Sequence, residues 1–377
     1  MVDYITLSVI ILGCLYILLD AALIIGLLRL PEKNVTHEPL VSVLVPARNE
    51  EDSIGRCLES LAQIEYPRDK LQVIIVDDHS VDGTYTAAKA FADRFHSFHI
   101  IRMSEIPGDS EGKIAALAEG YRKAEGVIVL QTDADCSVPR TWVRTYVRYF
   151  DDKTGIVGGI TLLEKNSSRK TCFTAIQSLD WLYLLNVGAA AIGIGFPLSC
   201  IGNNLAIRKT AYLDAGGYEA IPFTFTEDFA IFRAVVKAGW KSSFIPGGDG
   251  LVLSRPPATF MEFLRQRMRW ASGGIKLAGW GTLLLVTAFL YHLAIIISLP
   301  LGIPVYVWIT AVLATAAGDF VFLYISAAKV NRKQLLRYYP VFIVYYYIYT
   351  TVFGLILPFQ TAVTWKGRKL NASILSQ

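Results

Sequence analysis

The first long apolar run of the chain, from Tyr4 to Leu30, limits the possible folds most strongly. It is interrupted by Asp20 and closed by charged residues up to Lys33. A helix needs about 20 apolar residues to cross a bilayer, so the run predicts a transmembrane helix. A cleaved signal peptide is the alternative, but the run is long and lacks a basic n-region and a small-residue cleavage site. We therefore expect an uncleaved membrane anchor over residues 1–33.

The C-terminal part, residues 277–377, is predicted to be a transmembrane region with a basic tail. Its candidate spans are about Leu277–Ser298, Gly302–Ser326 and Tyr339–Phe359. The loop Lys329–Arg337 is strongly basic, and such loops stay in the cytoplasm. This orientation places the N-terminus outside and the middle of the chain in the cytoplasm. A last crossing would leave "WKGRK" outside, so either the tail departs from the charge rule or the final segment is re-entrant.

Composition separates this chain from both soluble enzymes and simple membrane bundles. Of its 377 residues, 53% are hydrophobic and 18% are charged, and the mean hydropathy is +0.41. The net charge of +4 is small and argues neither for nor against nucleic acid; no nucleic-acid partner is expected. The five cysteines have no CxxC spacing, which argues against a zinc site or a redox pair. We expect a polar domain, residues 38–255, attached to membrane segments.

Alternating strand and helix patterns fill this middle region. The predicted strands are "VSVLVP", "LQVIIVDD", "FHIIRM" and "GVIVLQTDAD", and the predicted helices between them are Glu50–Leu61, Thr84–Phe95 and Lys113–Lys123. Strands that alternate with helices predict a parallel, layered α/β sheet. Ligands of such sheets bind at the carboxyl ends of the strands. Polar residues follow three of these strands, at Pro46–Glu50, Asp77–Asp78 and Asp133–Asp135.

Asp133 and Asp135 are one residue apart, so on extended backbone they project to the same side. Two carboxylates this close repel each other unless a cation or a proton lies between them. A surface turn is one interpretation, because Asp is common there. The other is a divalent cation shared with phosphate oxygens. Asp77 and Asp78 at a second strand end favour the cation.

Asp77 and Asp78 lie in "IIVDDHSVDGT", where a carboxylate can accept a hydrogen bond from a nucleotide base. A turn and helix cap is the alternative, but Ser80, Asp82 and Gly83 satisfy it without the two aspartates. The first strand is not followed by GxGxxG, and the chain contains no GxxxxGK[ST]. These absences argue against a dinucleotide cofactor and a P-loop ATPase.

The stretch "FTFTEDFAIF" places Glu227 and Asp228 among aromatic residues. A carboxylate in an apolar setting has a raised pKa and can serve as a general base near neutral pH. The alternative is the acidic first turn of a helix over Asp228–Ala238.

In "RQRMRW", Gln266, Arg269 and Trp270 lie at i, i+3 and i+4, on one helix face. Arg and Gln there can bind pyrophosphate, and Trp can stack on a sugar. The alternative is a basic amphipathic helix, residues 256–276, on anionic lipid. The two interpretations are compatible, because Arg265 and Arg267 fall on other faces of the helix than the three motif residues.

Taken in order, "VPARNEE", "VDDHSVDGT", "TDADC", "TED" and "QRMRW" resemble the membrane-embedded family-2 glycosyltransferases with a GT-A catalytic domain. The group includes cellulose, chitin and hyaluronan synthases and ceramide glucosyltransferase. The resemblance implies an α/β fold: a Rossmann-like nucleotide-diphospho-sugar transferase domain with one N-terminal and about three C-terminal transmembrane helices.

The resemblance also implies roles for particular residues. Those implied at the nucleotide-sugar are Pro46, Ala47, Arg48, Glu50, Asp77, Asp78, Lys113, Asp133, Ala134, Asp135, Gln266, Arg269 and Trp270. Asp133 and Asp135 are implied ligands of Mg²⁺ or Mn²⁺, Asp228 resembles the general base, and Glu227 is its neighbour. The segment Cys200–Lys209 matches an acceptor-side loop.

The implied reaction is a direct, inverting displacement of a nucleoside diphosphate, from a UDP-sugar donor, by an acceptor hydroxyl. Few helices follow the catalytic domain, so a single transfer to a membrane lipid is preferred over processive polysaccharide synthesis. A non-catalytic membrane scaffold is the alternative of another class. A transporter is disfavoured by about four spans without repeated halves.

Two features near the membrane leave alternatives open. Asp20, His292 and Asp319 lie in apolar runs, where they either line an acceptor path or form hydrogen bonds between helices. Leu179–Cys200 is apolar but carries Asp180 and Pro197. We interpret it as a helix and loop against the bilayer or beside an acceptor groove, because a span here would split the polar site across the membrane.

Overall fold

The structure is a computed structural model that describes residues 2–33, 35–103, 112–164, 172–222, 224, 226–274, 279–356, 362–365 and 368–371. The chain forms two compact units. The helical unit comprises Met1–Arg29, Ser167–Leu198 and Pro257–Gln377, and the α/β unit comprises Leu30–Asn166 and Ser199–Pro256. The domain predicted over 38–255 is therefore interrupted, because residues 167–198 belong to the helical unit.

The α/β unit contains ten strands and six helices among the described residues. The strands are β1 Val41–Ala47, β2 Leu71–Asp77, β3 Phe98–Arg102, β4 Ile128–Gln131, β5 Cys136–Ser137, β6 Thr154–Gly159, β7 Thr161–Leu163, β8 Leu205–Arg208, β9 Lys241–Ile245 and β10 Val252–Ser254. The helices are α2 Glu51–Ala62, α3 Thr84–Arg94, α4 Lys113–Lys123, α5 Trp142–Val147, α7 Lys209–Asp214 and α8 Glu227–Lys237.

The main sheet has seven strands in the order β3-β2-β1-β4-β8-β6-β9. The predicted strands β1 to β4 are parallel to one another, as expected. Strand β8 is antiparallel to both β4 and β6, which the alternating pattern did not predict. All but one residue of β1 is buried, which fits a central strand covered on both faces. The carboxyl ends of β1, β2 and β4 therefore share one edge.

Helix α2 shows how sequence period fixes the packing of this layer. Its buried residues Ile54, Cys57, Leu58 and Leu61 recur at helical spacing. Such a stripe turns one helix face to the core and leaves the other polar. The helix consequently covers the sheet and begins at Glu51, directly after the end of β1 and the residues Arg48 to Glu50.

Asp133 and Asp135 lie outside strand β4. Strand β4 ends at Gln131, and a turn follows in which the Cys136 amide donates to the Asp133 carbonyl oxygen at 3.0 Å. The expectation that strand alternation would align the two side chains is therefore wrong. The turn, rather than the pleat of a strand, brings the two aspartates to the sheet edge.

The helical unit contains α1 Val2–Arg29, α6 Cys172–Gly193, α9 Phe260–Gly274, α10 Trp280–Ser298, α11 Val305–Lys329 and α12 Tyr339–Ile356, followed by a hairpin of β11 Ala362–Trp365 and β12 Arg368–Asn371. Within the described residues, five helical segments are long and apolar enough to cross a membrane: Val2–Arg29, Cys172–Gly193, Trp280–Ser298, Val305–Lys329 and Lys333–Ile356. The predicted N-terminal helix and three C-terminal helices are thus present, and α6 is an additional candidate.

Helix α6 differs from the others in how the chain reaches it. Strand β7 precedes it and β8 follows it, and both strands belong to the α/β unit. A single crossing would leave these strands on opposite sides of a membrane. This connectivity argues against α6 as a single membrane crossing.

Helices α1 and α6 pack through small residues. A Cβ on Gly26 would clash with the backbone of Ala190, and a Cβ on Gly193 would clash with the backbone of Gly26. Glycine allows two helix backbones to approach this closely. Only α6 residues with little or no side chain fit against this part of α1.

Polar side chains connect the helices inside this unit. Tyr16 of α1 and Tyr183 of α6 donate to the Asp319 carboxylate of α11, at 3.1 and 2.8 Å. His292 of α10 lies 2.6 Å from the Thr350 hydroxyl of α12. The geometry at Asp319 and His292 therefore favours hydrogen bonds between helices. Asp20 is also buried.

Candidate active site

The sheet places the first group of predicted residues at adjacent strand ends. Pro46 and Ala47 close β1 and pair with Val76 and Asp77 of β2. The Asp78 amide then donates to the Ala47 carbonyl oxygen at 2.8 Å. The parallel register alone therefore brings the two predicted nucleotide-binding segments side by side.

Asp77 and Asp78 have different surroundings. The Asp78 carboxylate accepts from Arg48 Nη1 at 3.3 Å and lies 2.9 Å from His79 Nδ1. Asp77 is fully buried, and its Oδ2 lies 3.6 Å from Arg102 Nε. Among the described residues, none donates a hydrogen bond to either carboxylate oxygen of Asp77. A buried carboxylate in this state favours an additional donor.

Lys113 connects two predicted acidic groups. It is the first residue of α4, and its Nζ lies 2.7 Å from Asp133 Oδ1 and 3.0 Å from Glu227 Oε1. Burial alone would lower the pKa of this lysine, but Asp133 and Glu227 raise it overall. The ammonium group therefore stays charged and joins the turn after β4 to the start of α8.

The surroundings of Asp135 disfavour the ionised form of its carboxyl group. Desolvation raises its pKa to about 6, and the charges of Asp133 and Glu50 add to the effect. Ser254 Oγ donates to Asp135 Oδ2 at 3.3 Å. Lys113 lowers this pKa but does not offset the rise. Burial is thus the main reason why the charged form of Asp135 is disfavoured, and the neighbouring carboxylates add to this effect.

Asp228 is held at the start of α8 by two backbone amides. Gly202 donates to its Oδ2 and Phe229 to its Oδ1, each at 2.8 Å. Desolvation and Glu227 raise the pKa of Asp228 to about 6, while Lys113 and the two amides act against the rise. At neutral pH the group is therefore mostly ionised, yet more basic than an ordinary aspartate.

Glu50 lies at the start of α2, beside the strand end of β1. Its amide donates to Thr84 Oγ1 at 2.7 Å, and its carboxylate accepts from Ser53 Oγ at 2.6 Å. Ala134 is buried within the turn between the two aspartates. Both predicted residues therefore lie in the α/β unit at the edge where the other acidic residues lie.

The structure does not place all predicted residues in this unit. Gln266, Arg269 and Trp270 belong to α9 of the helical unit. The Trp270 ring contacts the Trp181 ring of α6 with a centroid distance of 4.9 Å. Arg267, expected on a lipid-accessible face, is instead fully buried and pairs with Asp180 at 2.6 Å. Its charge finds a partner inside the protein, so lipid contact by Arg267 is excluded.

Sequence reasoning missed two supporting residues. Arg56 of α2 pairs with Glu164 and donates from Nη2 to the Asp135 carbonyl oxygen at 2.6 Å. Asn204, inside the predicted acceptor-side loop, donates to the carbonyl oxygens of Ile160 and Gly250 at 2.8 and 2.9 Å. Arg56 could have been noticed in the sequence because it lies next to Cys57, a member of the apolar stripe of α2. Asn204 gave no signal, because its partners are distant in sequence.

The sheet order and the acidic edge define the fold class as GT-A-like. A solved structure of the mannosyltransferase PcManGT from Pyrobaculum calidifontis, in complex with GDP-Man and Mn²⁺, is similar to this chain with a TM-score of 0.58. The similarity covers 94% of this chain and 99% of that chain, at 21% sequence identity. At this identity the likeness shows the fold.

Residues 38–273 match the family model described as glycosyltransferase like family 2, and the chain belongs to this family. It is 28% identical over 245 residues to a protein of Bacillus subtilis named "Probable glycosyltransferase YdaM", covering 64% of this chain and 56% of that protein. It is 29% identical over 249 residues to a beta-monoglucosyldiacylglycerol synthase of Synechocystis, covering 63% of this chain and 48% of that protein. The chain thus spans about half the length of these curated relatives.

Proposed function

We propose that this chain transfers a sugar from a nucleotide-sugar, with UDP-sugar as the expected donor, to a hydroxyl group of a membrane lipid. The observation that carries the proposal is the bridge made by Lys113 between Asp133 and Glu227. It connects the turn after β4, where a diphosphate would bind, to α8, which carries Asp228. Donor-binding groups and a base are thereby joined within one unit.

The nucleotide part of the donor is assigned to the ends of β1 and β2. Pro46, Ala47 and Arg48 would line the pocket beside Asp78. The buried Asp77 carboxylate has oxygens that accept no hydrogen bond from the described residues. A base N–H would satisfy one of them. The adjacent sheet register supports this assignment.

Asp133 and Asp135 fit a divalent cation by their chemistry. Carboxylate oxygens are preferred ligands of Mg²⁺ and Mn²⁺. Burial is the largest cause of the raised pKa of Asp135, and the charges of Asp133 and Glu50 add to it; a bound cation would favour the ionised form. Among the described residues, no group of three or more His, Cys, Asp or Glu side chains is arranged to hold a metal. The protein would then provide one or two carboxylates, with phosphate oxygens and water completing the shell. A bound cation would supply positive charge to the departing diphosphate.

Asp228 is assigned as the general base. It would accept the proton of the acceptor hydroxyl while that oxygen forms a bond to the anomeric carbon. The bond from this carbon to the diphosphate oxygen breaks on the opposite face, so the configuration inverts. The Gly202 and Phe229 amides hold the carboxylate in place for this proton transfer, and Glu227 keeps its basicity raised.

The membrane setting supports a lipid acceptor. Five helices of the described chain meet the length and apolarity of membrane spans, and a relative is named as a synthase of a glycosylated diacylglycerol. We assign the α/β unit to the cytoplasmic side because the loop after α11 is basic. In this arrangement Gln266, Arg269 and Trp270 remain the motif-based prediction for contacts to the donor.

The test is a donor panel. Membranes containing the chain are incubated with radiolabelled UDP-glucose, UDP-galactose, UDP-N-acetylglucosamine and GDP-mannose, and the lipids are extracted. Label in the lipid phase, lost on Asp228→Asn, supports the proposal. A polymer ladder would favour processive synthesis instead. No transfer from any donor, together with no binding of UDP or GDP, would favour the non-catalytic scaffold.

A further inference from the structure

Helix α9 buries an arginine in the helical unit. The side chains of Arg267 and of Asp180 on α6 are both fully buried, with Nη2 2.6 Å from Oδ2. Arg265, two residues earlier on the same helix, is exposed. The two arginines therefore have different roles, although both belong to the motif "RQRMRW".

Aromatic side chains surround the ion pair. The guanidinium carbon of Arg267 lies 5.2 Å from the Phe263 ring centroid, 4.7 Å from Trp270 and 5.9 Å from Tyr349. The Tyr345 hydroxyl donates to Asp180 Oδ2 at 3.3 Å. Arginine is well suited to such stacking because its charge is spread over a plane. The pair thus connects α6, α9 and α12.

Burial of the pair is not explained by stability alone. Moving both charges out of water costs free energy, and an apolar pair of similar size is often as stable or more stable. Removing one partner is different, since it leaves an unpaired buried charge. The property that an ion pair adds is a defined geometry, because only one rotation of α9 brings Arg267 to Asp180.

The rotation of α9 fixes the direction of the neighbouring motif residues. An α-helix turns about 100° per residue, so with Arg267 facing α6, Arg269 points about 160° away from it. Gln266 and Trp270 are rotated about 100° and 60° from Arg267, in the same direction around the helix axis as Arg269. The contact of Trp270 with Trp181 at 4.9 Å is a second restraint on this setting.

We propose that the Arg267–Asp180 pair positions Gln266, Arg269 and Trp270 for binding the nucleotide part of the donor. Neither Arg267 nor Asp180 touches the donor; both act by setting the rotation of α9. The inference rests on the proposed function, in which the three motif residues contact the donor.

The test compares variants of the full-length chain in detergent. Asp180→Asn and the paired variant Asp180→Leu/Arg267→Met are examined for UDP and GDP affinity with Mn²⁺, for donor KM and kcat, and for thermal unfolding. Asp180→Asn is expected to weaken nucleotide affinity and raise donor KM at least about tenfold, since small misplacements of binding groups have large effects. The paired variant is expected to recover thermal stability but not nucleotide affinity.

If the pair only stabilises the fold, the paired variant should recover nucleotide affinity together with thermal stability. Recovery of both stability and nucleotide affinity would overturn the proposal. Tyr345→Phe removes only one hydroxyl and keeps the fold in case the other variants unfold. It is expected to raise donor KM with little change in kcat, and an unchanged KM would also count against the proposal.

Two further variants separate this inference from the proposed function. Arg265→Met, on the exposed face of the same helix, is the matched control and should leave affinity and KM unchanged. Arg269→Ala tests the motif itself. If Arg269→Ala has no effect on nucleotide affinity, donor binding by the motif fails; if it weakens affinity while Asp180→Asn does not, only the positioning role fails.

Discussion

At the scale of single residues, Lys113 controls the electrostatics of the candidate site. Its ammonium group lies within 3.0 Å of both Asp133 and Glu227, and it lowers the pKa of Asp228. One side chain therefore influences the predicted diphosphate site and the predicted base. Changes at Lys113 and at Asp228 should separate these two effects.

Asp228→Asn removes the base but keeps a side chain of nearly the same shape. We expect kcat to fall by about 10²- to 10⁴-fold, the range for a lost general base. UDP affinity should change little, because the carboxylate is not assigned to the nucleotide. Steady-state kinetics and titration calorimetry measure the two effects. Asp93→Asn, on an exposed part of α3, is the control, and wild-type kcat in Asp228→Asn would refute the assignment.

The pH dependence of kcat/KM should report the base in the free enzyme. Asp228 is active as a base only when ionised, so activity should rise with pH through about 6, the value to which its pKa is raised. Lys113→Met removes a group that lowers this pKa. The acidic limb should therefore move to higher pH in this variant.

The matched control for that shift is Lys89→Met. Lys89 pairs with Asp93 on the exposed face of α3. Its profile should overlay the wild-type profile. If Lys113→Met gives the same acidic limb as the unaltered chain, Asp228 is not the titrating base.

At the scale of secondary-structure elements, close helix contact is built from glycine. Gly26 of α1 faces the backbone of Ala190 on α6, whereas a Cβ added to Gly55 of α2 would have no heavy atom within 4 Å. The two glycines have the same intrinsic cost in a helix of about 1 kcal/mol relative to alanine. The two positions differ only in the atoms that an added Cβ would meet.

Gly26→Ala and Gly55→Ala should consequently have opposite effects. Alanine at position 26 forces α1 and α6 apart and should lower the Tm of the full-length chain in detergent. Alanine at position 55 meets open space and should stabilise α2 by up to about 1 kcal/mol. Thermal unfolding of both variants measures this, and a Tm in Gly26→Ala at or above wild type would contradict the packing.

Several elements were predictable because their signals are local. The α4 bounds, Lys113–Lys123, agree with the sequence prediction, since a glycine precedes the helix and the apolar spacing is regular. The family and the GT-A-like fold follow from motif order, and the N-terminal and C-terminal apolar helices follow from long apolar runs. The reversed direction of β8 was not predictable, because the chain passes through α6 before it returns to the sheet.

Sequence reasoning misplaced Asp133, Asp135 and Arg267 for two different reasons. The turn at Asp133–Asp135 is set by a backbone hydrogen bond rather than by residue type. Arg267 looked like a surface residue until α6 supplied Asp180 as its partner. The roles assigned to the site residues stay predictions from motifs. Proximity within the α/β unit supports those at the strand ends and at the start of α8, whereas Gln266, Arg269 and Trp270 belong to the helical unit.

At the scale of the whole molecule, the charge pattern predicts one orientation in the membrane. Lys329 ends α11, and Arg332, Lys333 and Arg337 follow it. Retention of such loops in the cytoplasm would place the N-terminus of α1 outside. The α/β unit begins at Leu30, directly after α1, and would then face the cytoplasm with the donor.

Cysteine accessibility in intact cells checks this orientation. In a background with the exposed Cys14 and Cys172 replaced by serine, Tyr4→Cys should react with a membrane-impermeant maleimide. Gln334→Cys, in the basic loop, should react only after the cells are permeabilised. The reverse pattern would show that the α/β unit faces outside.

The passage of the chain through α6 has a practical consequence for truncation. The boundaries of the two units fall at residues 29/30, 166/167, 198/199 and 256/257, so no single cut releases the α/β unit. A fragment of residues 30–256 would carry α6 without the helices that cover its apolar surface, and should aggregate in aqueous buffer. If residues 167–198 are replaced with a flexible glycine-serine linker, the fragment should stay soluble without detergent.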